Sequence, residues 1–262
     1  MLKVLTMKQI PVFSLDMMEG LVIERFEKAE VPVKPAHRDD HYIFIFQEEG
    51  HSKVMVDFNE LTIDGCAVLC ILPGQVHQGI SATDTVAWFI AIDSELVSPV
   101  FQPNKPAAIA EAGILKRSIS LLYDIKEKMP RQVVRSLTDA CLGMFAQAYG
   151  PSHQDHSRAH VITRHFKSLL VKFNSSPADY ASSLNISTAY LNEAVKSTTG
   201  FSVTYWIQQE IIMEAKRILY YTDNSVKEIA NTLGYEDSTY FSRLFSKVAG
   251  ISPVQFRAKY RE

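Results

Sequence analysis

The sequence predicts an α+β fold, with a first half made of β-strands and a second half made of α-helices. Three observations support this: short β-branched and aromatic runs fill residues 21–92, helical periodicity begins after Pro106, and the C-terminal part of the chain repeats itself. The 262 residues, 47% hydrophobic and 21% charged, can bury the core of one large domain or of two ordinary ones. A disordered chain is excluded on the same grounds.

Five apolar runs in the first half have the length of β-strands, and turn signals separate them. The runs are residues 21–26, 42–46, 54–58, 66–72 and 85–92, and the turn signals lie at 48–50, 59–60, 64–65 and 73–74. Strands of this length and spacing are typical of an antiparallel sandwich or barrel. The absence of helical periodicity between them argues against a doubly wound α/β sheet.

Two amphipathic helices follow, one over residues 114–128 and one that begins after Pro130. The apolar stripe of the first helix has no place inside a β-barrel, so we expect a second copy of the chain to bury it. Packing of this stripe on the β-strands of its own chain is the alternative. Gly150-Pro151-Ser152 and the polar run at 153–156 predict a linker between domains.

The C-terminal half contains an internal repeat. Ala181-Ser-Ser-Leu184 matches Ala230-Asn-Thr-Leu233 at an offset of 49 residues, and Gly200-Phe-Ser202 matches Gly250-Ile-Ser252 at an offset of 50 residues. The two copies therefore differ by one inserted residue. We place it in the turn between two helices, because turns tolerate insertions better than packed helices do.

Each copy predicts a helix-turn-helix motif. The first helices cover residues 178–184 and 226–233, and the second helices begin at Ser187 and Asp237, which are good N-cap residues. Apolar residues at i and i+4 predict that one face of each second helix is buried. These pairs are Leu191 with Val195 and Phe241 with Phe245.

Residues 203–221 predict one helix of 19 residues between the two copies. At 1.5 Å per residue it is about 28 Å long, close to the ~34 Å between successive major-groove faces of B-DNA. A rod of this length can present both second helices to one side of a duplex. The candidate DNA contacts on their polar faces are Ala189, Asn192, Glu193 and Lys196 in the first copy and Ser238, Thr239, Ser242, Arg243 and Lys247 in the second.

The charge distribution is compatible with DNA contacts in the second half of the chain. Residues 1–150 hold 14 Lys and Arg against 19 Asp and Glu, whereas residues 151–262 hold 13 against 10. The second half is therefore modestly basic. A net charge of this size permits a nucleic-acid partner but does not by itself identify one.

The second copy carries a long motif of fixed order. Residues 226–257 contain, in order, Ile-Ala, Gly-Tyr, Tyr-Phe, an arginine, Phe-Ser-Lys, a glycine, Ser-Pro and Phe-Arg. This order closely resembles the signature of AraC/XylS-type transcriptional regulators. Two residues depart from it: Ser246 separates Phe245 from Lys247, and Glu193 stands where arginine is common. Because glutamate accepts from cytosine N4 whereas arginine reads guanine, Glu193 predicts an altered base preference.

The resemblance implies a cupin-like β-barrel in the first half that binds a small-molecule effector. Gly65-x7-Pro73-Gly74-x2-His77 is similar to the second cupin motif, and the segment from His37 through Asp39 to His41 lies where the first motif would be. Metal-dependent cupins also take a glutamate from the first motif, and apolar residues near Ile43 replace it here. We therefore expect an organic-ligand pocket and no metal or other cofactor. The implied effector contacts are His37, Tyr42, Phe44, His77 and Trp88, with either Trp88 or Phe89 pointing into the barrel because the two alternate along a strand.

The implied organisation is a cupin-like sensor domain over residues 1–110, a helical dimerisation segment over 111–150 and an AraC-type DNA-binding domain with two helix-turn-helix units over 151–262. The implied function is sequence-specific transcriptional regulation controlled by a small molecule. The expected partners are double-stranded DNA, the effector, a second copy of the chain and RNA polymerase, without a membrane.

Two other functions are considered from the residues. One is a metal-dependent cupin enzyme that carries a helical nucleic-acid-binding half. The other is a DNA-repair methyltransferase, which needs a reactive cysteine set that Cys66, Cys70 and Cys141 do not supply. We expect no enzyme, because no nucleophile–base–orienter set and no phosphate loop occur in the sequence.

The expected location is the cytoplasm. Three cysteines are too few for a disulfide scaffold, and the sequence has neither a signal-peptide-like apolar run nor a stretch of ~20 apolar residues. Histidines also cluster between residues 153 and 165, where we expect them to face solvent and not a metal. These are His153, His156, His160 and His165.

Overall fold

The computed structural model describes residues 9–14, 20–27, 35–97, 105–150, 157–170 and 175–261. The chain forms two compact units, one of residues 11–153 and one of residues 154–262 together with the first ten residues. Of the predicted linker at 150–156, all except Gly150 lies outside the described residues, including His153 and His156. Among the helices in the described ranges, none has the length and apolar character needed to cross a lipid bilayer.

One eight-stranded sheet dominates the N-terminal unit. Two long strands at its centre pair antiparallel with each other and with most of the remaining strands. The strand order is β1-β3-β7-β4-β6-β8, with β2 also on β7 and β5 also on β4. The strands are β1 (Val12–Phe13), β2 (Leu21–Glu27), β3 (His37–Asp39), β4 (Tyr42–Val56), β5 (Asn59–Asp64), β6 (Ala67–Ile71), β7 (Val76–Ile92) and β8 (Ala107–Ala108).

The all-β character of this half is confirmed, but closure into a barrel is not. No pairing joins the two ends of the strand order within the described residues, so the sheet there is open. The predicted turn at 73–74 is present between β6 and β7, where Gly74 has a φ of +79°.

The predicted turn at 48–50 is wrong, because these residues lie inside β4. The register of β4 against β7 shifts between Gln47 and Glu49 and again between Glu49 and His51, which is the pattern of a β-bulge. Gly50 has a φ of +91°, and a Cβ there would lie 2.3 Å from the carbonyl oxygen of Asp84. The glycine is thus required by the close approach of β7 and not by a chain reversal.

Helices α1 (Ala112–Ile125) and α2 (Arg131–Ala148) pack against one face of the sheet. Leu115, Ile119 and Leu122 point from α1 into this core. At the C-terminal end of α2, the Tyr149 hydroxyl accepts a hydrogen bond from the Cys70 amide at 2.8 Å. This bond fastens the helix to strand β6, and burial raises the pKa of the Tyr149 hydroxyl.

The described part of the C-terminal unit is helical, as predicted. The connecting helix runs from Val203 to Tyr221, with the predicted bounds and 19 residues. The helices are α3 (Arg158–Leu169), α4 (Pro177–Ser183), α5 (Thr188–Thr199), α6 (Val203–Tyr221), α7 (Val226–Thr232), α8 (Ser238–Ala249) and α9 (Pro253–Arg261).

Candidate functional site

Two helix-turn-helix motifs, α4–α5 and α7–α8, share the same local construction. Ser176 and Ser225 each cap the first helix of a motif, and each belongs to a capping box with an acidic residue three positions later. Those residues, Asp179 and Glu228, accept hydrogen bonds from the amides of the two serines. These bonds lower the pKa of both carboxyl groups.

The turns of the two motifs explain the change of offset from 49 to 50. Asn185 has a φ of +55° and Gly234 a φ of +83°, so both turns pass through the left-handed region at the equivalent position. The next residues, Ile186 and Tyr235, donate equivalent hydrogen bonds to the carbonyls of Ala181 and Ala230. Glu236 is then the extra residue before the second N-cap.

The second helices begin and end as the sequence predicts. Ser187 accepts from the Tyr190 amide, and Asp237 accepts from the amides of Thr239 and Tyr240. The hydrogen bonds from these amides and the nearby charge of Arg243 lower the pKa of Asp237. Both helices end at a glycine with a φ of +79°. The predicted inward residues are buried: Leu191 and Val195 in α5, and Phe241 and Phe245 in α8.

The opposite faces of α5 and α8 are available to a partner. The exposed candidates are Ala189, Asn192, Glu193 and Lys196 on α5, and Thr239, Arg243 and Lys247 on α8. Ser238 and Ser242 are half-buried, and the Ser242 hydroxyl donates to the Ser238 carbonyl at 2.8 Å. These two serines are therefore less accessible than the sequence pattern suggested.

Asn192 has a structural partner that sequence reasoning did not find. Its Oδ1 atom accepts a hydrogen bond from the Val203 amide at 3.1 Å, at the first turn of α6. The equivalent position in the second copy is Pro253, which has no N–H to satisfy. The residue equivalent to Asn192 is Ser242. Because it has no amide to satisfy at Pro253, its hydroxyl donates to the Ser238 carbonyl in its own helix.

The N-terminal unit encloses a cavity of about 170 Å³ on the face of the sheet opposite α1 and α2. Two polar side chains from the predicted effector set, His37 and His77, line it. The Gln47 amide in its wall already bonds to backbone carbonyls and to Ser52. The apolar side chains of the lining are Phe26, Ile43, Ile45, Val54, Ile63, Ile71, Ala82, Ala87 and Phe89.

Tyr42, Phe44 and Trp88 are placed differently from the expectation that they contact an effector. All three belong to the core between the sheet and the two helices. The Phe44 ring lies 5.1 Å from the Phe145 ring of α2, and the Trp88 indole N–H donates to Glu48 at 2.8 Å. Neighbouring residues in a strand point to opposite faces, so Ile43, Ile45 and Phe89 line the cavity instead.

At one end of the cavity, His37 and His77 come together with Asp39. Strand β3 pairs with β7 so that His37 and His77 are direct cross-strand partners. Their ring centroids are 4.4 Å apart, and His77 Nε2 lies 3.3 Å from Asp39 Oδ2. Burial acts to raise the pKa of Asp39, but the hydrogen bond from His77 and the charges of the surrounding imidazoles lower it overall.

The helical unit is similar to parts of several known proteins. A family model described as a helix-turn-helix domain matches residues 180–259. The transcriptional activator RhaR of Enterobacter sp. (strain 638) is 36% identical over 72 residues, which are 28% of this chain and 26% of that protein. The arabinose operon regulatory protein of Escherichia coli (strain K12) is 32% identical over 93 residues, 36% of this chain and 32% of that protein.

Over these residues the chain is similar to regulators of the AraC/XylS type. It spans about a quarter to a third of the length of these two curated relatives. Among solved structures, the C-terminal domain of AraT from Geobacillus stearothermophilus is similar, with 30% identity and a TM-score of 0.36. That alignment covers 39% of this chain and 88% of the AraT chain.

The AraC/XylS signature residues have visible structural roles in this unit. Phe256 is buried, and the Arg257 guanidinium donates to the carbonyls of Leu219, Thr222 and Asn224 at 3.1, 3.3 and 2.6 Å. These are carbonyls at and beyond the C-terminal end of α6, which the helix itself leaves without partners. The Phe-Arg pair of the signature therefore fixes the end of the connecting helix.

Proposed function

We propose that this protein is a sequence-specific DNA-binding transcriptional regulator whose N-terminal unit binds a small-molecule effector. The observation that carries the proposal is the pair of helix-turn-helix motifs joined by one uninterrupted helix, each with an exposed polar face on its second helix. Such faces read base edges in the major groove, while flanking cations contact phosphates.

The two faces differ in chemistry, so we assign them to different parts of one binding site. Arg243 on α8 can make a bidentate contact to guanine, and Glu193 on α5 can accept from cytosine. Lys196 and Lys247 lie further along the same faces and suit phosphate contacts. Each protomer would then read two successive major-groove segments.

The cavity beside the sheet supports the sensor part of the proposal. Half of its lining residues are apolar, and polar side chains that include Glu24 and Lys53 are available to orient a bound molecule, as in many small-ligand sites. His37 and His77 are the proposed polar anchors, and Phe26 and Phe89, whose rings contact edge-to-face at 4.7 Å, form part of the apolar wall. A cupin-like origin of this domain and RNA polymerase as a further partner belong to the same proposal.

The DNA-binding proposal is tested with the full chain and a random pool of duplexes. We expect selection to enrich one sequence family and a footprint to protect two successive major-groove faces per protomer. The Glu193→Ala, Arg243→Ala double variant should lose the enrichment, whereas Arg135→Ala, an exposed arginine of α2 paired with Asp139, should retain it. An unenriched pool or a single protected face would overturn the proposal.

A separate measurement tests the sensor. Native mass spectrometry of the purified full chain should detect a retained small molecule, and His77→Ala should lose it while binding of the selected duplex persists. Retention by His77→Ala equal to that of the wild type would place the effector elsewhere.

A further inference from the structure

The cluster of His37, Asp39 and His77 has the composition of a metal site. All three residues are buried, and they offer two imidazole nitrogens and one carboxylate oxygen within 4.8 Å of one another. Strand β3 supplies two of them at alternate positions, and the cross-strand neighbour on β7 supplies the third. The sheet register thus brings the three ligand atoms together without help from a loop.

Backbone carbonyls orient both imidazole rings. His37 Nδ1 lies 2.8 Å from the Pro35 carbonyl oxygen, and His77 Nδ1 lies 3.2 Å from the Gln75 carbonyl oxygen. A carbonyl oxygen only accepts, so each Nδ1 carries a hydrogen, and in the neutral ring the lone pair is on Nε2. This is how protein metal sites commonly fix the tautomer and direction of a histidine ligand.

His77 Nε2 and Asp39 Oδ2 face each other at a distance of 3.3 Å. Ligand atoms bound at 2.0–2.1 Å in a tetrahedral site are themselves about 3.3 Å apart. His41 Nε2 also lies 3.9 Å from the same oxygen.

We propose that His37, Asp39 and His77 bind one divalent transition-metal ion, such as Zn²⁺ or Fe²⁺, with an open coordination position facing the cavity. Two histidines and one carboxylate are a ligand set that these ions prefer, and three protein ligands leave room for a water or a bound molecule. His37 and His77 both line the cavity, which places the open position on that side. The carboxylate comes from Asp39 in place of the glutamate that the cupin-like motif lacks.

Co²⁺ is the probe, because its visible absorption reports the ligand geometry. Full-length protein stripped of metal with a chelator should bind one Co²⁺ per chain, and Zn²⁺ should displace it. His77→Ala and the nearly isosteric Asp39→Asn should weaken Co²⁺ binding by more than about 100-fold. Loss of a residue that only hydrogen-bonds to a metal ligand already lowers metal affinity roughly 10- to 100-fold. His51→Ala is the matched control, since His51 is exposed and pairs with Asp64 away from the cluster.

Two outcomes would overturn the proposal. Equal Co²⁺ binding by wild type, His77→Ala and Asp39→Asn would show that the ion binds elsewhere. In that case, loss of the Co²⁺ absorption in His160→Ala would assign the ion to the histidines at 153–165. No binding by a folded, stripped wild type would show that the cluster is not a metal site. Metal binding does not depend on DNA binding. Measuring the affinity of the same protein preparations for the selected duplex therefore tests the DNA-binding proposal separately from the metal-site proposal.

Discussion

Arg243 and Lys247 lie one turn apart on the exposed face of α8 and differ in what they can recognise. The planar guanidinium matches the two acceptors of guanine, whereas the ammonium acts as a point charge. We expect Arg243→Ala to cost about 1–3 kcal/mol on the selected duplex and to relax preference at one base pair. Lys247→Ala should weaken binding to all duplexes and reduce the salt slope by about 1.

Fluorescence anisotropy with selected and scrambled duplexes at several salt concentrations separates these effects. An equal loss of affinity on both duplexes for Arg243→Ala would show that its side chain contacts only phosphate. Arg135→Ala should leave both affinities unchanged.

Asn192 and Glu193 are sequence neighbours on α5, and Asn192 has a structural role in the folded unit. Because Asn192 accepts from the Val203 amide, Asn192→Ala should lower the free energy of unfolding by about 1 kcal/mol. Glu193→Ala should leave stability unchanged and alter base preference in one half of the site. Urea unfolding and repeated duplex selection measure the two effects, and a stability loss in Glu193→Ala alone would reverse this assignment.

At the scale of elements, local chemistry made the helices of the second half predictable. Capping side chains such as Ser187 and Asp237, and the terminal glycines, act within a few residues of their own position. The bounds of α6 and the buried faces of α5 and α8 follow from such signals and from helical periodicity.

The cavity could not be predicted in the same way, because it depends on register between distant strands. The bulge at residues 47–51 and the pairing of β4 with β7 decide which side chains of each strand face the cavity. A pattern of consecutive apolar residues such as Ile43 to Phe46 does not distinguish the two faces when both are buried. Phe89 therefore lines the cavity, where the sequence pattern had suggested Trp88.

Arg257 determines how α6 ends, and its removal should affect the C-terminal unit as a whole. Its guanidinium serves three carbonyls at and beyond the end of the connecting helix. We expect Arg257→Ala to lower the free energy of unfolding by about 2 kcal/mol, since hydrogen bonds to a charged group contribute more than neutral ones. Chemical unfolding of the full chain, followed by far-ultraviolet circular dichroism, measures it.

Lys259→Ala is the matched control, because Lys259 is an exposed cation two positions further along α9. Equal stability of the two variants would mean that packing of Phe256, and not Arg257, holds α9 in place.

At the scale of the whole molecule, the amphipathic pattern of α1 did not show whether the helix packs on its own sheet or on a second copy of the chain. The buried stripe of the helix, which includes Leu115 and Leu122, packs against the sheet, as in the alternative interpretation of this segment. A second apolar stripe remains beside it and consists of Ile114, Leu121 and Ile125, at intervals of seven and four residues. Residues at these intervals share one side of a helix, as they do where two helices pair.

This outer stripe carries the predicted contact between two copies of the chain. Ile114 and Leu121 are 44% and 52% exposed, whereas Leu122 is fully buried. Glutamate at Leu122 would place a charge in the core and unfold the unit, so it cannot test association. Ile114→Glu with Leu121→Glu should instead give a folded monomer in sedimentation velocity, because only the outer stripe is changed.

The same double variant should bind a duplex with two copies of the selected site less tightly, because the second copy no longer benefits from a tethered partner. Its affinity for a duplex with one copy should be unchanged. Val133→Glu is the control, since Val133 is 42% exposed on α2 and lies outside the stripe. A dimer that persists in the double variant, or one that Val133→Glu disrupts equally, would locate the contact between protomers on another surface.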